Sequence, residues 1–316
     1  MSKFMFSLNA TLPVFLVIVL GWFLMQKKMF NENFVDIINK FVFKVSLPVL
    51  LFKDIATTPI REAFDPKFVI FCMIGTTIMF MGIWALTSIF MKDKSMVGAF
   101  TQASARGSAA VLGIAFVQNI YGNSGMTPLM IVSAVPLYNI YSVIILTFCA
   151  NNQDHSDKAA TIKRAFKNIL TNPIILGIAA GVPFSLLNIE LPPLVLKTVT
   201  NVAQTATPMA LLAVGAGFEG RKAIKKLKPT MIATFIKLVA LPAIYFPFAI
   251  AMDFRESALV AILIMVGSPT TVTCYIMAKN MDNDGVLSSS IIVMATLLSS
   301  VTLTFWIFLL RSLGLI

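Results

Sequence analysis

The residues that could do chemistry in this chain are few, and they gather at two matched places. One is Arg106-Gly107-Ser108, within the apolar stretch 95–119; the other is Gly267-Ser268-Pro269-Thr270-Thr271, within the apolar stretch 257–279. Glycine admits backbone that other residues resist, and Pro269 lacks an N–H and clashes with the preceding helical turn. Each place therefore reads as a helix broken in mid-run, presenting free N–H groups and partial positive charge to an anion. A simple kink, or close packing through small residues, would leave the same letters in one helix alone; the matched positions favour a site. Arg106 stands about twelve residues from either end of its stretch, too deep to snorkel, and a central arginine costs roughly 2.5 to 3.5 kcal/mol to insert. A substrate carboxylate would offset that cost, as would broken-helix carbonyls clamping the guanidinium. Lys44 also falls near mid-stretch, whereas Lys40 and Lys237 lie nearer helix ends and read as snorkelling cations. Asn139, beside Pro136, Tyr138 and Tyr141, and Gln204, upstream of Pro208, are the remaining polar candidates for the site.

The acidic residues narrow the cargo. Apart from Asp36, the apolar stretches read as free of Asp and Glu, so proton or metal-cation pumping, which uses intramembrane carboxylates, has little to work with. An anion would instead neutralise Arg106 or Lys44. Hydroxyls and carbonyls around Ser268, Thr270 and Thr271 could hold sodium, which leaves coupling to sodium or protons open. No cofactor or metal is expected: His155 is the only histidine, and Cys72, Cys149 and Cys274 are too scattered for a metal or redox motif. With no paired carboxylates and no Ser-His pairing either, an enzyme is not expected.

These residues need elements to position them, and composition says what kind. The chain is 58% hydrophobic with a mean hydropathy of +0.86, and only 12% of its residues are charged, where soluble domains have about 25%. Its 316 residues divide into ten apolar stretches, near 9–26, 33–53, 66–91, 95–119, 126–149, 170–188, 193–217, 229–252, 257–279 and 285–310. Each is long enough to cross a bilayer as a helix. The expected fold is an all-α integral membrane protein of about ten transmembrane helices. The net charge of +11 would suggest nucleic acid in a soluble protein, but here the cations sit in short loops between apolar stretches, as orientation signals do, and no nucleic-acid partner is expected. Lys27, Lys28, Lys92, Lys94, Lys163, Lys167 and the run from Arg221 to Lys228 fall on one side, which predicts a cytoplasmic midpoint and both termini outside.

The polar stretch 151–169 separates a first half, 1–150, from a second, 170–316. Slid by 160 residues, the halves superpose Pro13 on Pro173, Gly21 on Gly181, Pro48 on Pro208, Gly107-Ser108 on Gly267-Ser268, and Asn123 and Gly125 on Asn283 and Gly285. Five helices is an odd number, so the second unit enters from the opposite face; inverted repeats of this kind typify secondary transporters. A carrier is the expected function, with a ligand-binding membrane sensor or an anion channel as the alternatives.

The segments Phe41-Val-Phe-Lys-Val-Ser-Leu-Pro48-Val-Leu-Leu-Phe52, Pro136-Leu-Tyr-Asn139, Asn172-Pro173, Pro208-Met-Ala-Leu-Leu-Ala-Val-Gly215 and Pro269 resemble the auxin efflux carrier family, which includes bacterial malate permeases. The resemblance runs over nearly the whole chain. It implies ten helices with crossed fourth and ninth members, elevator-like movement of a carboxylate across the cell membrane, and a homodimer. Where that family's fourth helix usually carries Asn before the break and Gly-x-Pro after it, this chain has Ser108 and Gly113-Ile114-Ala115.

Overall fold

The computed structural model describes residues 3–57, 65–150 and 158–316. In chain order the helices are α1 (Lys3–Gln26), α2 (Glu32–Phe41), α3 (Leu47–Ala56), α4 (Pro66–Phe90), α5 (Val97–Ala105), α6 (Ala109–Tyr121), α7 (Thr127–Phe148), α8 (Lys158–Leu170), α9 (Pro173–Leu186), α10 (Pro193–Gln204), α11 (Ala206–Ala216), α12 (Gly220–Lys225), α13 (Leu227–Phe235), α14 (Leu241–Ala251), α15 (Glu256–Gly267), α16 (Thr273–Asn280) and α17 (Gly285–Ser312). Wide π-helical turns, Val42–Ser46 and Ile236–Ala240, join α2 to α3 and α13 to α14 without interrupting either run. Among the described residues there is no β-strand, and one isolated bridge pairs Gly107 with Thr270. Four runs, Pro66–Phe90, Thr127–Phe148, Leu227–Ala251 and Gly285–Ser312, are long and apolar enough to cross a membrane.

Local chemistry sets where the helices begin. Asp65 precedes Pro66 and accepts the Phe68 N–H at 3.1 Å; Asn172 precedes Pro173 and accepts the Ile174 N–H at 2.9 Å; Asp284 accepts the Leu287 N–H at 2.9 Å. Each side chain satisfies an N–H that a helix start leaves orphaned, and proline fits the first turn because its missing N–H is not needed there.

Packing gathers the helices into two large apolar cores and a small third. One holds α4, α6, α7, α14, α15 and the end of α17; another holds α1, α2, α3, α9, α11 and α16 with one end of α7; the third joins α5 to α13 and the start of α17. Within the second core, small residues let backbones touch. A Cβ on Gly21 would overlap the Leu212 backbone, and one on Gly181 would lie 2.9 Å from the Phe52 carbonyl oxygen. These two contacts, α1 on α11 and α9 on α3, are related to one another by the same 160-residue offset that superposes the halves of the sequence. In the first core α15 is buried on every side from Ala258 to Gly267, and α5, between the first core and the third, is buried along its whole length, so both lie central rather than facing lipid.

Two features qualify the expectations. Within the stretch expected as a linker, 151–169, residues 151–157 lie outside the described residues and the remainder is helical as part of α8, with Phe166 and Leu170 exposed. The apolar stretches are also not as free of acid as their sequence boundaries imply, since α3 runs on to Ala56 and so carries Asp54, paired with Lys53 at 3.0 Å.

Candidate functional site

Two helices stop short at the same point. α5 ends at Ala105 and α6 begins at Ala109; α15 ends at Gly267 and α16 begins at Thr273. Between the halves the chain is extended, Arg106 at φ −82°, ψ 117° and Ser268 at φ −70°, ψ 154°. The two extended segments cross and bond to each other: the Ser108 N–H donates to the Pro269 carbonyl at 2.9 Å, Gly107 pairs with Thr270, and the Thr270 hydroxyl donates to the Ala103 carbonyl at 2.7 Å. Gly107 is needed here for close approach, because a Cβ would overlap Ser268 Oγ and come within 2.9 Å of Lys237 Nζ.

A helix that ends in an apolar interior must place its last carbonyls. Lys237 Nζ donates to the Ala105 carbonyl at 3.0 Å and to the Met265 carbonyl at 3.3 Å, and Tyr138 Oη adds a bond to the latter at 2.8 Å. The reading of Lys237 as a snorkelling cation is therefore wrong. Its side chain is wholly buried, because the helical run begins at Leu227 and places it near the middle of the 25-residue helix Leu227–Ala251.

Arg106 is buried beside the crossing. Its Nη2 donates to Asn139 Oδ1 at 2.7 Å and its Nη1 to Met277 Sδ at 2.8 Å, while the Asn139 amide is held by the Val135 carbonyl at 2.9 Å. Both partners are neutral, and a thioether is a weak acceptor. Among the described residues the ion pairs are Lys53–Asp54, Lys222–Glu219, Lys226–Asp284 and Arg255–Asp253; neither Arg106 nor Lys237 has a carboxylate partner. Buried polar atoms without a hydrogen-bond partner also stand on these segments, Ser268 Oγ and Gln102 Oε1. A cavity of about 150 Å³ between α3, α7 and α9, lined by Leu51, Asp54, Val135 and Pro136 among others, reaches within one helical turn of Asn139.

The site is thus a buried guanidinium and ammonium at two interrupted helices inside an apolar shell, an arrangement suited to a small anion held away from water. The membrane transport protein family matches residues 6–307. The chain belongs to this family. Its relatives include the "Putative malonate transporter" of Rhizobium meliloti, 25% identical over 95% of each chain. An "Uncharacterized transporter" of Methanothermobacter thermautotrophicus is 22% identical over 96% of this chain and 98% of its own. The "Uncharacterized transporter YfdV" of Escherichia coli is also 22% identical, over 97% of this chain and 98% of its own. This membrane transport protein is therefore a multi-pass transporter for a small molecule and not an enzyme, in keeping with the auxin efflux carrier resemblance.

Of the residues singled out in its sequence, Arg106, Gly107, Ser108, Asn139, Ser268, Pro269 and Thr270 meet at the crossing. Thr271 is half-buried one residue beyond, its Oγ1 taking the Thr273 hydroxyl at 3.4 Å. Lys44 and Gln204 have exposed side chains and make no hydrogen bond to the crossing among the described residues. They lie instead at neighbouring bends, the wide turn between α2 and α3 and the junction of α10 with α11, which Ser46 Oγ and Thr205 Oγ1 bring together at 2.8 Å. Sequence reasoning missed Lys237, Met277 and Gln102. Gln102 lies one helical turn before Arg106, and its Nε2 reaches the same Met277 sulfur at 3.3 Å; that spacing was the available signal.

Proposed function

We propose that this transporter is a secondary carrier of small organic anions, dicarboxylates of the malonate or malate kind, with Arg106 as the substrate's charge partner. The observation that carries the reading is the neutral surroundings of Arg106: a buried guanidinium whose hydrogen-bond partners among the described residues are an amide oxygen and a thioether has donors left for a carboxylate, which it binds in a two-pronged fashion. The malonate in the name of the Rhizobium meliloti relative suggests the first substrate to try.

About ten spans arranged as two inverted five-helix repeats, 1–150 and 170–316, fit this function. The offset pair of glycine contacts supports that arrangement. The packing supports an elevator in which the crossing and the first core slide past α1, α3, α9 and α11, with α16 and one end of α7 packed along the seam. The cavity beside Asp54 lies along the seam between them, because its lining comes from α3 and α9 on one side and α7 on the other. The basic loops support an orientation with the 151–169 segment on the cytoplasmic side of the cell membrane and both termini outside.

The test is uptake of radiolabelled malonate, malate and longer dicarboxylates into proteoliposomes holding the purified chain. A carrier gives saturable uptake that accelerates when unlabelled substrate waits inside. Linear uptake without such counterflow would indicate a channel, and no uptake of any carboxylate a sensor or another cargo.

A further inference from the structure

We propose that Lys237 is a tethered cation standing where a coupling sodium ion would otherwise be bound, so that this protein loads its anion without sodium. The proposal rests on the carrier reading above and concerns how the same crossing is charged.

α5 and α15 reach the crossing from different sides, and both arrive with their C-terminal ends. Each such end carries roughly half a negative charge, so their meeting point carries about one. In its ammonium form Lys237 supplies one positive charge there. It donates to a carbonyl of each helix end, Ala105 and Met265, which are themselves 160 residues apart and so occupy equivalent places in the two halves. In broken-helix carriers, carbonyls at half-helix ends are the groups that coordinate sodium. Here the same kind of group is already held by an ammonium.

The surroundings are built for this side chain. Lys237 lies in the wide turn Ile236–Ala240, and the Leu238 carbonyl of that turn is taken by Trp306 Nε1 at 2.9 Å. Gly107 leaves the corner that Nζ and Cε occupy; a Cβ there would stand 2.9 Å and 3.2 Å from them. With the helix ends neutralised by Lys237, the charge of Arg106 is left for the substrate. Lys237 is in this sense a positioning residue, acting on the anion through the helix ends it joins.

The experiment measures radiolabelled malonate uptake by the full chain in proteoliposomes, with sodium or choline as the only added monovalent cation at equal ionic strength. Wild type is expected to transport equally in both, within about two-fold, where a coupled ion would shift affinity by at least about five-fold. Lys237→Met is expected to lose about ten-fold or more of its uptake in choline and to recover part of it in sodium, a response that a purely structural lysine would not give. Should that variant not fold, Lys237→Gln, which keeps amide donors without charge, takes its place. Wild-type uptake that collapses in choline, or a neutral Lys237 variant that matches wild type there, overturns the proposal. Wild type inert toward every carboxylate in both salts would instead remove the carrier reading, and this proposal with it.

Discussion

Two regions of the molecule show the same 160-residue offset and use it differently. Where α1 meets α11 and α9 meets α3, the halves behave alike: Gly21 lies against Leu212 and Gly181 against Phe52, equivalent residues in equivalent contacts. At the crossing of α5 with α15, only the backbone is alike. Gly107-Ser108 and Gly267-Ser268 match, but the position equivalent to Arg106 is Val266, that equivalent to Lys237 is Thr77, and that equivalent to Asn139 is Ser299. Packing follows the repeat, and chemistry stands where the repeat has diverged. An arginine at position 266 to match Arg106 would place two buried guanidinium groups at one crossing that already holds Lys237, a repulsion that desolvation would make severe. One arginine facing an amide leaves a single anion-binding direction.

The comparison makes graded predictions. The largest effect falls on packing: Gly21→Leu and Gly181→Leu each drive a side chain into a neighbouring backbone, and both are expected to lose folded protein to a similar extent, by about 3 kcal/mol or more. Size-exclusion profiles and thermal melts in detergent read this, and a severe loss in one with none in the other would break the proposed equivalence. Gly107→Ala comes next. Its methyl meets Ser268 Oγ and Lys237 Nζ, both side-chain ends, so the protein is expected to fold with a loss of about 1 to 3 kcal/mol while malonate uptake falls by about ten-fold or more. Asn139→Asp sharpens the chemical side by giving Arg106 a competing carboxylate; uptake is expected to show a KM raised by about ten-fold with little change in melting temperature. Tyr138→Phe, which removes one of the bonds to the Met265 carbonyl while Lys237 keeps the other, is expected to cost only about 1 kcal/mol in a melt.

The sequence made the backbone of the site legible because its signals are local. Pro269 and the matched Gly-Ser pairs mark the breaks by what they forbid or permit in their own turn, and Asn172-Pro173 marks a helix start in the same way. Asn139 was readable as an amide deep in an apolar run. Lys237 was not, because its meaning depends on where its helix begins and on which carbonyls of distant elements converge on it. A start at residue 229 made it a candidate for snorkelling; the start at Leu227, with the wide turn that follows, makes it interior. Met277 was hidden for a different reason, since a methionine in an apolar helix looks like packing until a guanidinium is found against its sulfur. Lys44 stood out by its depth in an apolar run, yet that depth does not say which face it occupies, and the face is exposed.

The central claim is that Arg106 holds the substrate's charge, and the direct measurement is malonate uptake into proteoliposomes by Arg106→Ala beside wild type at matched protein incorporation. The account predicts that the variant folds and that its uptake falls by about 10- to 100-fold, the loss of a charge-assisted contact to a carboxylate. Uptake by the variant equal to wild type would contradict it and leave Arg106 a structural clamp for the broken helix.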